Sequence, residues 1–246
     1  MTGHQGLRVV LAGVLMMSVV SACAPATSPA DLTSSPTAGP CPSSGEPTSC
    51  ILVLGDSIAS GEGATGSDRW PARLEALLRT NFPERTVTVS NLAQAGSQVD
   101  LLERQVAALP LEPYDVAIVI SGINDASTRT IDQWAPRYAA VIEALEDAGL
   151  TVVIGTAPPT LEDGAYTDRF PEVAAELRMI AGDGPMLDLA KDWLDLGVDT
   201  AGDYYKDEIH QNAAGQALIA EKARVVVGAI LDGVPEAIAD PDESSG

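Results

Sequence analysis

The order of apolar runs along the chain constrains its fold more than any other feature. Short β-type runs at residues 51–54, 87–89, 116–120 and 152–154, with a weaker one at 186–189, alternate with segments whose apolar residues recur every three or four positions. Those segments are RWPARLEALLRTNF at 69–82, QVDLLERQVAAL at 98–109, IDQWAPRYAAVIEALEDAG at 131–149, PEVAAELRMIAG at 171–182 and a last one at about 213–231. Alternation of strand and helix predicts a parallel sheet with helices on both faces, because parallel neighbours need a crossover. The expected fold is α/β, a three-layer α/β/α arrangement on a central, mostly parallel five-stranded sheet. Ligands of such sheets bind outside the carboxyl ends of the strands. Polar residues that directly follow strands therefore carry the chemical information.

The pattern occupies residues 50–234, one domain without internal repeats, and its flanks have a different composition. Residues 24–49 are crowded with Pro, Ser, Thr and Ala and read as a tether, while 235–246 (PEAIADPDESSG) read as an acidic tail. At the N-terminus, Arg8 precedes VVLAGVLMMSVV and then Ser21, Ala22 and Cys23. A basic start, a short apolar run and small residues before a cut make residues 1–22 an export signal. The run is too short to span a bilayer, which takes roughly 20 residues. VSAC is similar to a bacterial lipobox, so Cys23 is the expected lipid-bearing residue and the protein is expected to face outward from the cytoplasmic membrane. Each buried CH₂ of an acyl chain contributes about 0.8 kcal/mol of membrane binding, enough over several chains to hold an acidic protein. Assigning Cys23 to lipid leaves Cys41 and Cys50 as a pair for a disulfide, worth roughly 2–3 kcal/mol in the loop-entropy account. The formal charge of −21, from 14 basic and 35 acidic side chains, repels phosphate backbones and argues against nucleic-acid partners.

After the first run come Gly55, Asp56 and Ser57; after the second, Asn91 and Gly96; after the third, Gly122, Asn124 and Asp125; near the end, Asp207 and His210. Taken singly, each reads as ordinary structure. Ser57 suits a helix N-cap, Asn124 a turn, Gly96 a backbone position with φ above zero, and Asp207 and His210 a solvated surface. Taken together, they supply the parts of acyl transfer. A serine hydroxyl needs a base. His4 falls in the signal segment, so His210 is the sole imidazole remaining after export. Asp207, three residues earlier, is close enough to accept from Nδ1–H and leave Nε2 free for Ser57. The Ser57 and Gly96 amides, with the Asn124 carboxamide, can donate to a developing oxyanion.

These blocks resemble the SGNH hydrolases, also called GDSL esterases and lipases. GDS at 55–57, Gly96, GIND at 122–125 and DEIH at 207–210 match the family's four blocks in order, across essentially the whole domain. The resemblance implies a flavodoxin-like SGNH fold, Ser57 as nucleophile, Ser57, Gly96 and Asn124 as oxyanion hole, and Asp207 and His210 completing a triad without metal or cofactor. Ile58 departs from the leucine that named the family, and Gln211 stands where many members carry proline.

Three other readings remain open at this level. Asp56, Asn124, Asp125, Asp207 and His210 form a candidate metallophosphoesterase set, although such sites draw on several histidines. The scaffold also suits a non-catalytic carbohydrate-binding lipoprotein, and the same acyl-enzyme serves an O-acyltransferase. The expected activity is hydrolysis of small, acetyl-like esters, on envelope or extracellular glycans by location, by a monomer. Trp70 and Trp134 read as helix packing. Activity is expected to rise with pH as the catalytic imidazole, ordinarily titrating near pH ~6.5, loses its proton.

Overall fold

The computed structural model describes residues 41, 48–161, 165–197 and 202–233. The signal segment, Cys23, nearly all of the tether and the acidic tail lie outside the described residues.

Five strands form the sheet: β1 (Thr48–Gly55), β2 (Thr86–Asn91), β3 (Val116–Ile120), β4 (Thr151–Thr156) and β5 (Met186–Asp188). Their order is β2-β1-β3-β4-β5 and every pairing is parallel. The helices between them are α1 (Ser57–Ser60), α2 (Trp70–Asn81), α3 (Val99–Ala108), α4 (Ile123–Ala126), α5 (Ile131–Asp147), α6 (Ala165–Ala181), α7 (Leu189–Asp195) and α8 (Ala213–Leu231). This is the doubly wound α/β architecture with the flavodoxin-type strand order.

Alternating side chains of the central strands feed two separate cores, as the period of two along a strand requires. Ile51 and Val53 of β1 pack with Trp70, Leu74, Trp193 and Ile219 on one face. Leu52 and Leu54 pack with Leu102, Trp134, Tyr138 and Leu177 on the other. Both tryptophans in question are fully buried: Trp70 donates its indole N–H to Ile58 O at 2.8 Å, and Trp134 meets Tyr138 edge to face. Register brings the strand ends together, with Val53 opposite Asn91 and Gly55 opposite Ile120. The loops after β1, β2 and β3 therefore leave the sheet side by side.

Several boundaries differ from the sequence pattern. The fourth helical segment was expected over 171–182; α6 instead begins at Ala165 and carries Pro171 inside, as α5 carries Pro136. The four-residue helices α1 and α4 and the seven-residue α7 are too short to show a 3.6-residue period. β1 starts at Thr48, and Cys50 within it donates its amide to the Asp115 carboxylate at 2.7 Å. The structure joins Cys41 to Cys50 with Cα atoms 6.0 Å apart, within the span of a disulfide.

Candidate active site

The turn from β1 into α1 can be made only by glycine. Gly55 has φ of +133°, and a Cβ there would sit 1.8 Å from Ile120 O. Asp56 follows, fully buried, its amide donating to Ile120 O at 3.1 Å and its Oδ1 accepting from Ile58 N at 2.9 Å. Asp56, not Ser57, is thus the N-cap of α1. The serine occupies the first helical position, where its amide has no intrahelical acceptor and its hydroxyl is released from capping. Burial pushes the Asp56 carboxyl up to about 7, against the pull of the Ile58 and Ala59 amides and of His210, and its Oδ2 has no hydrogen-bond partner.

Gly96 sits in a turn closed by Ser97 N donating to Gln94 O at 3.0 Å, with φ of +73° and nothing within 4 Å of where a Cβ would be. Neither the Gly96 nor the Ser57 amide donates to another backbone group among the described residues. Asn124 lies in α4. Its Nδ2 donates to Ser97 O at 3.1 Å and its carbonyl accepts from Gln98 Nε2 at 3.0 Å, so the second and third loops are tied together. One carboxamide hydrogen of Asn124 is left for a ligand. Asp125 points the other way, into the protein, where it accepts from Val99 N and Arg129; burial raises its carboxyl and Arg129 opposes that rise.

The fourth segment closes on itself. His210 Nδ1 is 3.1 Å from both oxygens of Asp207, and Asp207 Oδ1 also accepts from the amides of Ile209 (2.9 Å) and His210 (2.7 Å). Partial burial pushes the Asp207 carboxyl up, but those amides and the imidazole outweigh it and hold the carboxylate below its ordinary range. With Nδ1 engaged, Nε2 is the nitrogen available to substrate.

Ser57, Gly96, Asn124 and His210 line a single pocket of about 230 Å³, completed by Glu62, Ile123 and Ile209. Groups spread over about 150 positions of sequence thus share one cavity. Ser57 Oγ and His210 Nε2 make no hydrogen bond with each other; such contacts commonly tighten only around bound substrate. The five donors weighed as a metal set do not converge, since Asp56 and Asp125 are committed to the helix cap and to Arg129. Among the described residues, no three His, Cys, Asp or Glu side chains gather in a metal-binding arrangement.

Sequence patterning missed two contributors. Gln216, fully buried in the first turn of α8, accepts from Trp70 N at 3.0 Å and donates to Glu62 O (2.9 Å) and Gln211 O (3.3 Å). It thereby links the chain after Ser57 to the chain after His210, a role that no local spacing announces. Glu62 is the second, although GEG at 61–63 follows α1 directly; its Oε2 lies 3.6 Å from His210 Nε2.

The sequence pattern that defines the GDSL-like lipase/acylhydrolase family matches residues 53–218. Among solved structures, the chain is similar to an acetyl xylan esterase, AlAXEase, at 19% identity over 72% of this chain and 99% of that one, with a TM-score of 0.62. It is similar to Axe2, an acetylxylan esterase from Geobacillus stearothermophilus, at 18% identity over 75% and 95%, TM-score 0.59. The psychrotrophic esterase EstA from Pseudoalteromonas sp. matches at 18% identity over 74% and 98%, TM-score 0.59. Likeness at these identities shows a common fold. No curated protein matches the chain by sequence.

Proposed function

Given that the chain belongs to the GDSL-like lipase/acylhydrolase family of carboxylic ester hydrolases, we propose that it hydrolyses small acyl esters through Ser57, His210 and Asp207. One observation carries the reading: the imidazole anchored on Asp207 through Nδ1 shares its pocket with the serine at the start of α1. Nε2 takes the Ser57 proton as Oγ attacks the ester carbonyl carbon, and Asp207 stabilises the imidazolium that forms. The Ser57 and Gly96 amides and the Asn124 carboxamide receive the oxyanion. Collapse breaks the bond between carbonyl carbon and alcohol oxygen, Nε2–H protonates the departing alcohol, and the acyl group stays on Ser57. Water then attacks the acyl-enzyme, giving one proton to Nε2; release of the acid returns that proton to Oγ.

A pocket of about 230 Å³ suits an acetyl or butyryl group better than a long chain. The solved relatives named as acetyl xylan esterases support acylated glycans as the substrate class. The decisive experiment is Ser57→Ala: turnover of acetyl esters and labelling by a fluorophosphonate should both disappear, and a variant that keeps most of its activity overturns the assignment. Faster turnover of long-chain triglycerides than of acetyl esters overturns the size preference. The lipobox supports export and lipid anchoring at Cys23, with the domain outside the cytoplasmic membrane. Incorporation of labelled palmitate that persists in Cys23→Ser refutes that placement.

A further inference from the structure

Glu62 is the one charged group in the pocket to which the ester chemistry above assigns no task. Its backbone is held on both sides: its amide donates to Ser57 O at 2.9 Å and its carbonyl accepts from Gln216 Nε2 at 2.9 Å. Gly63, the next residue, packs directly on the histidine segment, for a Cβ there would lie 2.2 Å from Gln211 O and 3.2 Å from His210 Cβ. Glu62 Oε2 stands 3.6 Å from His210 Nε2, the atom that protonates the departing alcohol. An alcohol oxygen in contact with Nε2 therefore lies beside this carboxylate. Two oxygens on neighbouring carbons in a gauche arrangement are about one hydrogen-bond length apart, so a free hydroxyl next to the ester reaches Glu62 while the ester oxygen faces Nε2. The lining residues include no Lys or Arg, so the pocket offers no matching contact to an anionic alcohol.

We propose that Glu62 determines specificity by accepting a hydrogen bond from a free hydroxyl vicinal to the scissile ester, which makes monoacylated vicinal diols, such as a singly acetylated sugar ring, the preferred substrates. The inference rests on the Ser57–His210–Asp207 reading and narrows it. The test compares kcat/KM for the monoacetate of a trans-cyclohexane vicinal diol with that of its O-methyl ether, which lacks the donor. A hydrogen bond to a half-exposed carboxylate predicts a preference of about tenfold for the free hydroxyl in the wild type. Glu62→Ala should bring the ratio close to one, and Glu62→Gln, whose carboxamide oxygen still accepts, should keep part of it. Taking the ratio within each protein cancels any effect of the substitution on His210 or on folding, since both esters feel those equally. Equal rates in the wild type, or an undiminished ratio in Glu62→Ala, overturn the proposal. No turnover of either ester, together with no fluorophosphonate labelling of Ser57, overturns the esterase reading itself and this role with it.

Discussion

Replacing Asp56 with asparagine should flatten the dependence of this domain's stability on pH. The carboxyl is fully buried, its Oδ2 has no partner, and burial raises its titration from the ordinary 3.8 to about 7. The folded state therefore holds the proton more tightly than the unfolded chain does. The stability this group contributes is fully present below the unfolded pKa, is lost as pH climbs from about 4 to about 7, and is gone above that. Raising the carboxyl from 3.8 to about 7 corresponds to about 4 kcal/mol, with a maximum slope of about 1.4 kcal/mol for each step of one in pH. Asparagine keeps an oxygen for Ile58 N but carries no titrating proton, so it changes the offset and removes the slope. Urea unfolding of the soluble domain at a series of pH values, wild type beside Asp56→Asn, measures the difference directly. The other titrating groups are common to the two proteins and cancel, apart from the smaller coupling of Asp56 to His210 and Asp125. The wild type should lose stability relative to the variant by up to about 4 kcal/mol between pH ~4 and pH ~8. A difference that stays constant within about 0.5 kcal/mol over that range refutes the claim that Asp56 is folded in its neutral form.

Asn124→Leu removes a side-chain donor from the proposed oxyanion site; kcat for an acetyl ester should fall by about a hundredfold or more, and an unchanged kcat removes Asn124 from the hole. Gly63→Ala drives a methyl group into Gln211 O and forces alanine to a φ of +101°, so activity should fall sharply; a fully active variant shows that the turn does not set the position of His210. Gln216→Leu removes the donors to Glu62 and Gln211 while roughly preserving volume; kcat should fall more than KM changes, whereas a loss confined to thermal stability refutes the positioning role. Cys41→Ser should lower stability by about 2–3 kcal/mol and expose one alkylatable thiol at Cys50 after unfolding, and a wild type that already shows two such thiols is not cross-linked.

The succession of apolar runs and helical periods determined the class of fold by itself. A chain whose strands are buried on both faces and separated by amphipathic helices has few ways to satisfy its backbone and cover its sheet. The candidate catalytic groups were legible for a related reason: each stands directly after a strand or close to a helix start, where the local pattern breaks from apolar to polar. Asp207 and His210 were readable as a pair because they fall within one turn of chain. Helix limits were unevenly legible: α5 was read through Pro136 almost to its observed ends, whereas α6 begins at Ala165, six residues before the segment that the apolar spacing marked from Pro171. Only the tertiary structure decided that Asp56 takes the cap and releases Ser57, because capping depends on which backbone amides the folded loop presents. Only the fold, likewise, could bring Glu62 to His210 and thread Gln216 between Trp70, Glu62 and Gln211. Apart from the local bond of Gln216 to Gln211, those contacts join positions about 150 residues apart, and a side chain's partners at such separations are set by the register of the sheet and the docking of α8, not by any neighbour in the chain.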